Sequence, residues 1–157
     1  VTIVEGPSAV VSGAAAYLPA PGMRLQTCDM VRTGPQAIVQ IEYEDGGAIL
    51  VGPDSVLVTD LPLGGEGVVG PLYLISGWAK LTVPKRDKAP PYRIDTPHFD
   101  VLTPAAVVSL RAGAEGGEFF VEQGDATAMA PSGTRVTVGT GRTYARKAGT
   151  DRGGVAD

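Results

Sequence analysis

Ile38-Val39-Gln40-Ile41-Glu42-Tyr43, then Glu44-Asp45-Gly46-Gly47, then Ala48-Ile49-Leu50-Val51 is the stretch that decides the fold. The first segment ends in alternating apolar and polar side chains, the middle is a turn with two glycines, and the last is an aliphatic run. Alternation at period two marks a half-buried strand, and a Gly-containing loop between two such runs closes a β-hairpin. Gly52-Pro53-Asp54 stops the second strand, and Ser55–Thr59 supplies another.

The same grammar continues in both directions. Toward the N-terminus, Val1–Val4 ends at Gly6-Pro7, and Ala9–Val11 ends before Gly13. Ala14–Leu18 has the composition of a helical turn, ended at once by Pro19, Pro21 and Gly22. Toward the C-terminus, residues 60–71 form the softest boundary, the place where a subdivision of the domain is expected. Beyond it the pattern predicts strands at Leu72–Ile75 and Ala79–Val83, separated by Ser76-Gly77, and a charged surface excursion over Pro84–Pro91. Further strands are expected at Tyr92–Asp95, Phe99–Leu102, Val107–Arg111, Glu118–Glu122, Ala126–Met129 and Arg135–Val138. Residues 148–157 are Gly-rich and polar and are expected to form a flexible tail, leaving one domain over residues 1–147.

Composition agrees with this segmentation. Hydrophobic residues make up 43% of the 157, enough for a packed core, but 22 Gly and 13 Pro leave no room for long helices. The fold class is therefore all-β, with many short strands in a β-roll, solenoid-like or sandwich arrangement and little helix. A pattern G-x-A-x-x-x-x-P occurs at Gly46–Pro53, Gly77–Pro84 and Gly124–Pro131. It suits stacked coils with small side chains at their corners. The unequal spacings exclude a strict repeat, and chance in an Ala/Gly-rich chain is the competing explanation.

A net charge of −4 argues against a general nucleic-acid binder, although Lys80, Lys85, Arg86 and Lys88 form a local basic cluster. Cys28 is the single cysteine, so there is neither a disulfide framework nor a CxxC site. No run reaches the roughly 18 apolar residues that a membrane-spanning helix needs. The first residue is Val, as in a processed mature form from which a signal peptide has been removed, or in a trimmed chain.

A longer order of motifs now emerges. Gly22-Met-Arg-Leu25 is followed by Asp29-Met-Val31-Arg-Thr33-Gly34, the Ala37–Tyr43 strand, Asp45-Gly46-Gly47 and Leu50-Val-Gly52-Pro53-Asp54-Ser55. Leu74-Ile-Ser-Gly77-Trp-Ala79, Tyr92-Arg-Ile-Asp-Thr96-Pro97, Val121-x-x-Gly124-Asp-Ala126 and the segment from Gly133 extend it. Over about residues 4–145 this order resembles the FecR family. The family's Arg-Gly-Thr segment after the Thr-Pro strand is kept only as Ser109-Leu-Arg111-Ala-Gly113, and the turn serine after Asp-Gly is Gly47. The resemblance implies a β domain of the bacterial periplasm or cell surface that contacts other proteins. The family's helical region for engaging a sigma factor has no counterpart here, so a complete transmembrane regulator is not expected of this chain alone.

No catalytic constellation accompanies these motifs. His98 lacks a second histidine or a carboxylate at ligand spacing, and Asp95 and Asp100 flank it without forming a known pattern. Cys28 reads as a small, buried or half-buried hydrophobe. Asp45 and Asp54 lie in turns that their side chains can set through backbone hydrogen bonds, and no calcium loop is present. Gly64-Gly65-Glu66-Gly67 lacks the Lys and Ser/Thr of a phosphate loop. No enzyme activity, cofactor or metal is expected.

Trp78 is the sharpest candidate for recognition. Period two places Ala79, Leu81 and Val83 on one face of its strand and Trp78 with Lys80 on the other, where an aromatic suits a protein or glycan contact. Tyr73, Tyr92 and Phe99 are candidates to extend the patch. The expected function is a non-catalytic binding or assembly module of the envelope, signalling or structural, with other envelope proteins as partners. A glycan or peptidoglycan binder is the alternative.

Overall fold

The computed structural model describes residues 1–59, 67–150 and 152–157, and these hold fourteen strands and no helix. The first seven are β1 (Ile3–Glu5), β2 (Ser8–Ser12), β3 (Ala15–Tyr17), β4 (Met30–Thr33), β5 (Ile38–Glu42), β6 (Ala48–Val51) and β7 (Val56–Val58). Three long strands dominate the rest: β8 (Val69–Val83), β10 (Asp100–Gly113) and β11 (Gly116–Met129). Around them lie β9 (Tyr92–Asp95), β12 (Arg135–Val138), β13 (Thr143–Lys147) and β14 (Gly153–Ala156). The all-β class expected from the sequence is what the chain adopts, as an unclosed sandwich. Every strand pair is antiparallel except β8 with β9.

The hairpin that opened the sequence argument is β5–β6, with Val39 opposite Val51 and Glu42 opposite Ala48. Its turn closes through the Tyr43 amide donating to the Gly47 carbonyl at 2.8 Å and the Gly46 amide donating to the Tyr43 carbonyl at 3.1 Å. Gly46 has φ +89, a conformation that costs a side chain with a Cβ but not glycine.

Two leaves share one core. The first runs β1-β5-β6-β8-β10-β11-β13-β14, and the second runs β3-β2-β4-β7-β8-β9-β10-β11-β12. The long strands belong to both. On β8, Leu72 and Leu74 are buried, and beyond Gly77 the buried set becomes Ala79, Leu81 and Val83. On β10 the set changes from Val101 and Thr103 to Ala106, Val108, Leu110 and Ala112, and on β11 from Phe119 and Val121 to Ala126 and Ala128. An even number of residues lies between the two sets in each strand, which breaks the period-two alternation, so each contains one extra residue and bends there. The pairing registers shift at these places, between Val56 and Leu57 opposite β8, between Leu102 and Ala105, and between Val107 and Val108.

The sequence predicts six short strands where three long ones occur. The breaks at Ser76-Gly77 and near Gly124 are bends and not ends, because glycine at φ +96 or +81 redirects a strand without releasing its pairing. The glycines of the three G-x-A-x-x-x-x-P copies all have positive φ, one in the hairpin turn and two at bends.

Ala15–Tyr17, expected as a helical turn, pairs with β2 as strand β3. The C-terminal residues also differ from a flexible tail, since Gly153–Ala156 pairs with β13. Gly153 lies against the Tyr144 ring, where a Cβ would sit 2.0 Å from the hydroxyl, so glycine there serves close packing. The stretch 60–66, which includes most of the softest boundary and Gly64–Glu66, lies outside the described residues. Buried residues on both sides of it join one hydrophobic cluster, with Phe99, Phe119 and Tyr144 packed at centroid distances of 5.5 Å.

Candidate functional site

The bend in β8 decides which way Trp78 points. Because Ala79, Leu81 and Val83 face the core after Gly77, Trp78 and Lys80 face outward on the first leaf. Register then fixes their neighbours. Lys80 stands opposite Leu50 on one side and Ser109 on the other, and Ser109 stands opposite Phe120, which faces Thr143. Trp78 stands opposite Arg111, and Arg111 opposite Glu118.

This outer face carries an open groove of about 230 Å³ lined by Trp78, Ser109, Arg111, Glu118, Phe120 and Thr143. Trp78 is half-buried because its ring lies on the backbone of Gly52, where a Cβ would come within 2.2 Å of Cε3. Its amide donates to Ser55 Oγ at 2.8 Å, and its carbonyl accepts the Gly52 amide at 2.8 Å. Phe120 is 40% exposed, a large apolar side chain at the opposite wall.

The rim charges are paired. Lys80 Nζ lies 2.8 Å from Glu122 Oε2, and Arg111 Nη2 lies 3.1 Å from Glu118 Oε1. The Lys80 hydrogen bond, followed by one donated by Ser109 Oγ at 2.9 Å, holds the Glu122 carboxyl below its ordinary range. Such half-exposed pairs contribute little to stability, but they leave the groove with balanced charge around an aromatic centre.

The other expected recognition residues do not gather here. Tyr73 is half-buried on the second leaf, in register with Asp95. Tyr92 and Phe99 are core residues, at 0% and 1% exposure, and cannot extend an exposed patch. Tyr92, Ile94 and Thr96 alternate inward together, and Phe99 joins the aromatic cluster with Phe119 and Tyr144. Phe120 escaped the sequence argument. The signal was present in the Phe119-Phe120 pair, since adjacent residues of a strand point to opposite faces and one of the two must turn outward.

His98 and Asp45, two of the remaining chemical candidates, hold backbone segments in place. His98 Nε2 lies 2.6 Å from the Gly113 carbonyl, tying the start of β10 to its own far end. Cys28, expected to be at least half-buried, is exposed in a loop with φ +65. Asp45 Oδ1 accepts the Gly47 amide at 3.0 Å, as its place in the turn suggested. Among the described residues, no group of three or more His, Cys, Asp or Glu is arranged to hold a metal ion. No helix among them is long and apolar enough to cross a membrane.

Comparison with known proteins agrees with this fold. Two crystal structures of a candidate anti-sigma factor from Parabacteroides distasonis ATCC 8503 share the fold, at TM-scores of 0.69 and 0.68 with 14% and 15% sequence identity. In each case the match covers 82% of this chain and 59% of the other, so the chain spans about three fifths of the length of those proteins. Among curated proteins none matches. The family model described as FecR protein matches residues 29–142, well over half the chain. The chain belongs to the FecR protein family, as a β domain of the periplasm or cell envelope.

Proposed function

We propose that this domain is a non-catalytic docking module that holds another envelope protein against the outer face of its first leaf, with Trp78 and Phe120 at the centre of the contact. The observation that carries the reading is the pairing of the rim. Glu118 and Glu122 are engaged by Arg111 and Lys80, so the groove offers an aromatic centre inside a satisfied polar border. Protein contact surfaces are built this way, with aromatic anchors inside and a polar rim outside. A signalling or a structural role in an envelope assembly would use the same surface.

The test uses Phe120, whose truncation leaves the core intact. Immobilised wild-type domain and Phe120→Ala are exposed to envelope extract of the source organism, and retained proteins and glycans are identified by mass spectrometry. One stoichiometric protein retained by the wild type and lost by the variant is the expected result. A protein retained equally by both would remove the contact from this face. Cell-wall fragments retained in its place would replace the reading with glycan binding. Trp78 is the single tryptophan, so its fluorescence reports directly on occupation of the groove.

A further inference from the structure

The second leaf ends at β3, which pairs with β2 on one side, and among the described residues no strand pairs with its other edge. Open edges are usually guarded by charge, because exposed amides and carbonyls recruit other strands. The other terminal strands carry such guards: β1 ends in Glu5, β12 begins with Arg135, and β14 is flanked by Arg152 and Asp157. At β3 there is no charged guard, only the shortness of the strand and the Pro19 and Pro21 that follow it. Positions 6–23 contain no charged residue at all.

The side chains at this edge are also uncovered. Tyr17 stands opposite Val10, and cross-strand partners point to the same face. Val10 is fully buried while Tyr17 is 51% exposed. Tyr17 therefore extends the core-facing surface of the leaf past the point where the sandwich covers it. Leu18, the next residue after the strand, is 85% exposed.

The local sequence contains its own complement. Ala14-Ala15-Ala16-Tyr17-Leu18 runs from three small residues to two large ones. Laid antiparallel against itself about Ala16, strand β3 places Tyr17 opposite Ala15, so the large side chain of each copy meets a small one of the other. A two-fold axis through Ala16 uses the same patch on both molecules, which is the requirement for a closed pair. We infer that β3 is a self-pairing edge: it joins antiparallel to β3 of a second copy of this chain, continuing the second leaf across a homodimer. Tyr17 of each copy then covers Ala15 of the other, and the absence of charge lets the identical segments approach. The surface is separate from the groove at Trp78, and a dimer made here leaves that groove open.

A contact this small is transient, so dimerisation should appear as concentration rises. Sedimentation velocity over a concentration series is expected to show reversible dimers of the wild type. Ala16→Lys and Ala16→Glu each place like charges at the two-fold axis and should weaken the dimer at least about tenfold. An equimolar mixture of the two variants should restore it, and circular dichroism checks that each is folded. In a Cys28→Ser background, Ala16→Cys should form an intermolecular disulfide on mild oxidation. A wild type that stays monomeric at every concentration overturns the inference and gives the edge to a strand from another protein. A dimer that both charge variants leave intact overturns it too.

Discussion

The Tyr92 hydroxyl donates to Asp45 Oδ1 at 2.5 Å, joining the buried start of β9 to the turn of the β5–β6 hairpin 47 residues earlier. Arg86 completes the junction. Its guanidinium pairs with Asp45 Oδ2, donates to the Pro90 carbonyl at 2.8 Å, and lies 4.7 Å from the centroid of the Tyr92 ring. The Pro84–Pro91 excursion is thereby fastened to the hairpin turn, with Tyr43 edge-on to Tyr92 at 5.4 Å. Burial and the Asp45 carboxylate both raise the Tyr92 hydroxyl above its ordinary range, so it remains a donor throughout the physiological range.

Tyr92→Phe keeps the ring and removes the donor. Loss of a hydrogen bond to a carboxylate is expected to cost about 1–3 kcal/mol, measured as a lower urea midpoint at pH 7. For Asp45, burial raises the pKa most, yet the Tyr92 hydroxyl, the Gly47 amide and Arg86 together lower it below 3.8. A depressed folded pKa gives stability that is present above the unfolded value and lost as pH falls through the folded one. Asp45→Asn should therefore be less stable than the wild type at pH 7, and the difference should shrink as the pH is taken below about 4.

Asp100 titrates in the opposite sense. Burial, followed by the charge of Asp95 across the β9–β10 pair, pushes its carboxyl up to about 6, although Arg93 bonds both acids at 2.7 and 3.0 Å. The folded state then binds this proton more readily than the unfolded chain. Its titration should add stability as the pH is lowered from about 6 toward about 4, and Asp100→Asn should lose that gain. Thermal melts of the two proteins across this range, with a flatter profile for the variant, are the measurement.

Gly77→Ala tests the bend in β8. At φ +96 its Cβ would come 2.2 Å from Ser55 Oγ and 2.5 Å from Ser55 Cα. Both the backbone conformation and the contact oppose a side chain. A loss of at least about 2 kcal/mol is expected in equilibrium unfolding. Trp78 fluorescence should change in the folded state, because the next residue is the one the bend aims.

The adjacent phenylalanines separate core from contact surface. Phe119 is fully buried in the aromatic cluster, and its truncation to Ala should cost about 3–5 kcal/mol. Phe120→Ala should change stability by no more than about 0.5 kcal/mol while abolishing retention of the partner. Denaturation and binding curves for both variants check the two expectations together.

The strand content, the central hairpin and the orientation of Trp78 and Lys80 were legible because period two needs no tertiary information. The outward turn of Trp78 follows from Ala79, Leu81 and Val83 alone. The continuity of β8, β10 and β11 was not legible. A glycine that ends a strand and one that bends it have the same sequence signature, and the neighbours that keep the pairing intact, such as Ser55 beside Gly77, are distant in the chain. For the same reason Gly153 suggested a loose tail, since nothing in its neighbourhood announces that Tyr144 lies beneath it. Tyr92 and Phe99 were misplaced because aromatics suit a contact and a core equally, and only their partners Asp45 and Tyr144 decide.

The long strands that pass from one leaf to the other have a mechanical meaning. In a sandwich whose leaves are joined only by loops, one leaf can slide or peel from its partner while each keeps its own ladder. Here β8, β10 and β11 are common to both, so relative sliding would have to break hydrogen bonds inside each leaf. Slowly exchanging amides on the two halves of β10 should open together in a single event, with one protection free energy on either side of Ala105. A load applied through a partner at Phe120 would reach the far leaf along covalent backbone, and the domain would carry it as a stiff link.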